Sequence, residues 1–172
     1  MRRKVLLVLE CVIMIFNLCG CGSDVKNEKI AEDTADRIVD MINDRDASGL
    51  KSVFSEKAKE NAKDIDGEIA ELFEWFDGEI TRIDKKYVQL GTLYTKDGVT
   101  NSVRVDYHLY TTEKHYVLYI LHFTSDTADK SNEGVFSIKV SDYDAVQLWQ
   151  EMHAEKYVYV ETETPGVFIF DG

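Results

Sequence analysis

Three consecutive pieces decide the fold: NSVRVDYHLY (Asn101–Tyr110), TTEK (Thr111–Lys114) and HYVLYILHFT (His115–Thr124). Both ten-residue pieces alternate with period two and are rich in Val, Tyr, Leu, Ile and Phe, as half-buried strands are. The four-residue link is short enough for an antiparallel hairpin. Closing it pairs Leu109 with Tyr116, Tyr107 with Leu118, Val105 with Ile120 and Val103 with His122. A slip of one residue would turn every side chain over, so this register puts all eight on one face. Only His122 among them is neither apolar nor aromatic. Such a face must lie against a second layer.

The layer comes from upstream. Ile30, Thr34, Ile38, Met41 and Ile42 recur at intervals of three and four, which predicts a helix from about Glu28 to Asn43. After the break Asn43-Asp44-Arg45-Asp46, a second short helix buries Leu50, Val53, Phe54 and Ala58. A third starts near Asp64, carries Ile65, Ile69, Leu72, Phe73 and Phe76, and stops at Asp77-Gly78. Tyr87–Tyr94 reads as a strand leading through the turn Lys96-Asp97-Gly98 into the central hairpin.

Downstream, Ser125–Glu133 is a polar loop. Gly134–Ser141 is a strand with Phe136, Ile138 and Val140. Tyr143, Val146, Trp149 and Met152 mark a short helix. Tyr157–Val160 and Val167–Phe170 are extended pieces around Pro165-Gly166. Helices followed by an antiparallel meander make an α+β fold, with N-terminal helices packed on a curved antiparallel sheet.

The N-terminus reads as an address. Arg2, Arg3 and Lys4 precede the mostly apolar run Val5–Leu18, which is too short and too interrupted (Glu10) for a membrane-spanning helix of about 20 residues. Leu18-Cys19-Gly20-Cys21 resembles the lipobox of bacterial lipoproteins, in which the last cysteine is lipidated. That resemblance implies a signal peptide over 1–20, a lipidated tether over 21–27 and a domain over 28–172. It also implies attachment to the outer face of the cell membrane through Cys21. Acylation with two chains gives stable anchoring, where one chain is marginal.

Composition agrees with that reading. The three cysteines, Cys11, Cys19 and Cys21, all lie in or at the leader, so a mature domain stands on its core without disulfides. The chain has 20 basic against 32 acidic residues; losing Arg2, Arg3, Lys4 and Glu10 with the leader leaves 17 against 31. A balance this acidic argues against nucleic acid and against electrostatic adsorption to anionic lipid.

The order of three helices and a long sheet is similar to the nuclear transport factor 2-like (cystatin-like) superfold. Asp46-Ala47-Ser48-Gly49-Leu50-Lys51-Ser52-Val53-Phe54-Ser55 resembles the passage from its first to its second helix. With the lipobox and the closing Pro165-Gly166-Val167-Phe168-Ile169, the chain resembles a family of lipoproteins of unknown function from Gram-positive bacteria. The superfold hosts enzymes, binding modules and scaffolds alike, so it implies no activity.

The resemblance does imply a place to look, since the space between helices and concave sheet is often a pocket in that superfold. Tyr107, Tyr116 and His122 share the inner face and are the candidate pocket residues. No carboxylate is clearly placed to orient His122, and Asp106 falls on the other face. A strand-end histidine partly in solvent is therefore preferred to a general base. His108, His115 and His153 form no metal pattern. Asp44–Gly49 imitates the start of a calcium loop, but Ser55 stands where a bidentate glutamate is needed, so Asp46 reads as a helix cap. No metal, cofactor or nucleophile motif is expected.

Val117, Tyr119, Leu121 and Phe123 fall on the outer face, too apolar to be left in water. Either the C-terminal stretch Tyr157–Phe170 covers them or a second copy does, giving a homodimer through that face. The expected role is a membrane-anchored extracytoplasmic module that binds a small ligand or a protein partner. The alternatives are an isomerase- or hydrolase-like enzyme using the inner pocket, and a structural envelope protein.

Overall fold

The computed structural model describes residues 21–152 and 164–171. Helix α1 spans Cys21–Asn43 and so begins seven residues before the expected start; the stretch read as a tether is helical. Ala31, Ala35, Ile38, Val39 and Ile42 are its buried residues, whereas Ile30 is 37% exposed and Thr34 half-buried. The inward stripe is thus one position off the expected one over the first half of the helix. Two alanines in that stripe let the helix backbone approach the sheet.

Arg45, in the left-handed region at φ 54°, ends this helical run. Its guanidinium donates to the carbonyl of Phe73 and, at 3.0 Å, to that of Phe76. It thereby ties the end of α1 to the end of α4 (Ile65–Trp75). Between them the expected single helix is two, α2 (Ala47–Ser52) and α3 (Glu56–Asn61). Each of the three short helices has its own cap: Asp46 accepts from Gly49 N–H, Ser55 from Ala58 N–H and Asp64 from Gly67 N–H, at 2.9, 3.0 and 3.1 Å. Ser55 restarts the helix, and its own N–H donates to the carbonyl of Val135. Gly134, at φ 131°, makes room there, because a Cβ would stand 2.8 Å from Ser55 N.

The sheet has the order β1 (Ile80–Tyr94), β2 (Val99–Thr111), β3 (His115–Asp126), β4 (Gly134–Asp142) and β5 (Gly166–Phe170). All neighbours are antiparallel except β5, which lies parallel to β4 after helix α5 (Tyr143–Met152). The hairpin register is the one expected, with Val103, Val105, Tyr107 and Leu109 opposite His122, Ile120, Leu118 and Tyr116. All eight are buried under the helices. The protein is an α+β fold of N-terminal helices on an open, mostly antiparallel five-stranded sheet. Each large apolar side chain so buried contributes roughly 1.5–3 kcal/mol.

Two local differences follow from backbone irregularity. Strand β1 starts at Ile80 rather than Tyr87 and continues through two register shifts, Ile80/Arg82 and Lys85/Tyr87, which hide its period. A shift at Leu121/His122 turns Val135 inward in place of Phe136. Phe136 lies against outer-face Phe123 instead, ring centroids 5.1 Å apart.

Of the stretch expected to cover the outer face, the described part is a strand. Gly166–Phe170 extends the sheet beside β4 and does not lie across it. Val117 is covered by α5, whose Val146 is buried with it. Tyr119, Leu121 and Phe123 are half-buried, and the Arg104 guanidinium lies 5.2 Å over the Tyr119 ring while pairing with Asp106. Residues 1–20, expected to be a leader, and the expected extended piece Tyr157–Val160 lie outside the described residues. No helix among the described residues is long and apolar enough to cross a membrane.

Candidate functional site

Tyr107, Tyr116 and His122 share the inner face but no common point. Tyr116 and His122 stand six residues apart on β3, roughly 20 Å at the rise of a strand. Each tyrosine is committed to the scaffold. The Tyr107 hydroxyl donates to the Asp36 carboxylate of α1 at 3.0 Å, and burial, with Asp36 beside it, holds its proton on. The Tyr116 hydroxyl accepts from Asp77 N–H at 2.9 Å, and its ring stacks on Phe76 at 4.4 Å. Both rings belong to one buried apolar cluster with Ile38, Ile42, Leu50 and Leu72.

His122 is not a partly solvated strand-end residue. It is only 7% exposed, and its Nδ1 has no hydrogen-bond partner among the described residues. Burial drives its pKa down to about 4, so at neutral pH it is a neutral ring among apolar neighbours. Asp126, a strongly acidified carboxyl, is a clamp on the loop after β3. It accepts from the N–H groups of Asp129 and Ala128 and from the Asn132 side chain, which holds its pKa near 2.

A different cluster occupies the outer face where β2 turns into β3. His115, the first residue of β3, is held between two tyrosines. Tyr110 of β2 stacks on one side at 4.1 Å and Tyr143, which opens α5, on the other at 3.9 Å. The Arg82 guanidinium of β1 caps the stack, 3.6 Å from the Tyr110 ring. His108, diagonal to His115 across the strands, brings its Nδ1 to 3.0 Å from Nε2 of His115. One ring donates and the other accepts, with the roles set by the tautomer. Burial lowers both imidazole pKa values; for His108 the charge on His115 lowers it further, while for His115 Asp144 works the other way.

This stack borders a hollow of about 410 Å³ lined by Tyr110 to His115 together with Asp142 and Asp144. Several lining groups hold the scaffold: Thr111 Oγ1 accepts from Glu113 and Lys114 N–H, and Asp142 caps α5 through Asp144 N–H. The charged ends of Glu113, Lys114 and Asp144 are exposed at the rim. Three carboxylates against one ammonium, beside stacked π faces, suit a ligand that carries a cationic group. Among the described residues no group of three or more His, Cys, Asp and Glu converges as a metal site. Asp46, the residue of the calcium-like loop, accepts from Gly49 N–H and the Ser48 hydroxyl and caps α2.

Sequence reasoning weighed His108 and His115 only as metal ligands. The hairpin register already puts His108 and Tyr110 opposite Val117 and His115 on the outer face. What it could not supply is Tyr143, brought in by a helix, or Arg82, from a strand whose period is broken.

Residues 37–148 match a family described as a domain of unknown function (DUF5104). No curated protein matches the chain.

Proposed function

The chain belongs to the DUF5104 family of domains of unknown function, and we propose that it is a binding module of the nuclear transport factor 2-like type, held on the extracytoplasmic face of the cell membrane by lipid on Cys21. Its recognition surface is the outer-face histidine site, not the space under the helices. The observation that carries this is His115, sandwiched between Tyr110 and Tyr143 beside an open hollow. Stacked aromatic groups outside the core present rigid π surface to a ligand, and the rim carboxylates favour one with a basic group. The lipobox supports the anchor, and helices laid on a long, bulged meander support the superfold. The inner face belongs to the core, and among the described residues no carboxylate pairs with His122 to orient it as a base, which speaks against catalysis there.

Titrating a library of small amines and their neutral isosteres into the 15N-labelled protein tests this reading. Binders are expected to move the amides and imidazole signals of Tyr110, His115 and Tyr143, amines more than isosteres. Shifts centred on His122 and Val103 would return the site to the inner face and sink the proposal.

A further inference from the structure

Among the described residues, the large hydrophobic ones left exposed are not scattered. Val25, Ile30, Ile83, Tyr87, Leu90, Leu93 and Tyr94 all lie on α1 or on edge strand β1, with Leu93 62% and Tyr94 76% exposed. Two contacts give the direction of the helix along that strand. Asn43 Oδ1 accepts from Ile80 N–H at 2.9 Å, at the start of β1. Asp36 takes Lys85 Nζ at 3.1 Å, five residues further along it. Helix and strand therefore run antiparallel. From Asp36 back to Val25 is about 16 Å of helix, and from Lys85 on to Leu90 is roughly the same length of strand. The first turns of α1 and the far half of β1 reach the same end of the domain.

Charge divides β1 at the same place. Arg82, Asp84, Lys85 and Lys86 occupy its near half, and Tyr87-Val-Gln-Leu-Gly-Thr-Leu-Tyr94 carries no charge, in a chain 30% charged. Free edges in water are normally protected by charge, proline or bulges; here both register shifts and all the charges lie before Tyr87. On the helix, Asp24 and Glu28 are balanced by Lys26 and Lys29. The acidic excess begins beyond them, with Glu32, Asp33, Asp36 and Asp40 against Arg37. The first turns of α1 and the far half of β1 thus carry no net charge in a strongly acidic molecule.

Cys21, the residue the lipobox would acylate, is the first residue of α1. Acyl chains on it leave no flexible tether between bilayer and domain. We infer that the β1 edge at this end of the domain seats on the bilayer surface, with Val25, Leu90 and Tyr94 from the helix side of the strand and Leu93 from its outer side at the headgroup boundary, and Tyr94 as the interfacial aromatic anchor. The contact is apolar, so it forms on zwitterionic lipid. This inference rests on lipidation of Cys21, proposed above.

The test uses the full lipidated protein in phosphatidylcholine vesicles, spin-labelled at Leu93→Cys or, as a control, at exposed Ser52→Cys of α2. The mature sequence has no other cysteine than Cys21. Flotation and the mass of the N-terminal peptide report the anchor separately from the seating. The expected result is flotation, with the label at 93 several-fold more accessible to oxygen and less to a water-soluble nickel relaxant than the label at 52. Flotation with equal accessibilities overturns the seating and leaves the anchor standing. Dipolar broadening between labels at 93 puts a second copy on the strand and also overturns it. Protein that neither floats nor carries acyl mass overturns both readings.

Discussion

Nε2 of His115 lies 3.0 Å from Nδ1 of His108, two imidazoles hydrogen-bonded across neighbouring strands on the face away from the core. Such a bond needs one donor and one acceptor, so it survives the first added proton only on a nitrogen outside the bond and does not survive the second. Both rings have folded pKa values below the unfolded 6.5, burial being the main cause. The sign follows from linkage: the unfolded chain takes protons first, so the pair's contribution is present above 6.5 and is lost as pH falls through the folded values.

The matching measurement is a titration of the imidazole signals. His108 and His115 should both titrate below 6.5, and His115→Gln should raise the midpoint of His108, whose neighbour's charge is then gone. Midpoints at or above 6.5 in the intact protein would mean that the rings are solvated and the stack is not formed.

The inner-face histidine makes a sharper prediction. His122 has a folded pKa of about 4 because it is buried without a partner on Nδ1. Between pH 6.5 and 4 the unfolded state is protonated and the folded state is not, so stability falls by about 3 kcal/mol over that window. His122→Leu should remove this part of the slope, leaving the part that His108 and His115 contribute, and, by replacing an unsatisfied polar group with an apolar one, leave the protein at least as stable at pH 7. Urea unfolding at pH 7 and at pH 4.5 decides it; an unchanged slope in the variant would show that some other group titrates there.

How much was legible in the sequence depends on whether the relevant period was local. The hairpin Val103–His122 could be registered residue by residue because both strands alternate cleanly and the four-residue link leaves little choice. The first helix was found, but its stripe was misplaced at Ile30 and Thr34, since Ala31 and Ala35 do not announce themselves as core. Nothing in Gly134–Ser141 reveals the shift at Leu121/His122 that sends Phe136 outward while Ile138 and Val140 stay buried, because it depends on the partner strand. The outer-face site failed for the same reason. His115 and Tyr110 are adjacent through the hairpin, but Tyr143 and Arg82 arrive by tertiary packing, and only with them does the pair of histidines become a stacked cluster.

The last prediction concerns the far edge of the sheet. Gly166 opens β5 at φ 131°, a conformation that side-chain-bearing residues rarely adopt, and a Cβ there would stand 2.4 Å from Oε2 of Glu68. That oxygen is not free to move without loss, because it accepts the N–H of Val167 at 2.9 Å and so joins α4 to the strand. Gly166→Ala should therefore destabilise by about 1–3 kcal/mol through backbone strain, with the displaced hydrogen bond adding to it. Glu68→Ala alone removes the bond and should cost roughly 1 kcal/mol. In the double variant the clash is gone and the strain remains, so the two costs should sum to more than the measured total, a coupling of at least about 0.5 kcal/mol. Urea unfolding of the four proteins closes the cycle. Strict additivity would show that Glu68 and Gly166 do not meet; a harmless Gly166→Ala would show that β5 does not enter the sheet through this backbone conformation.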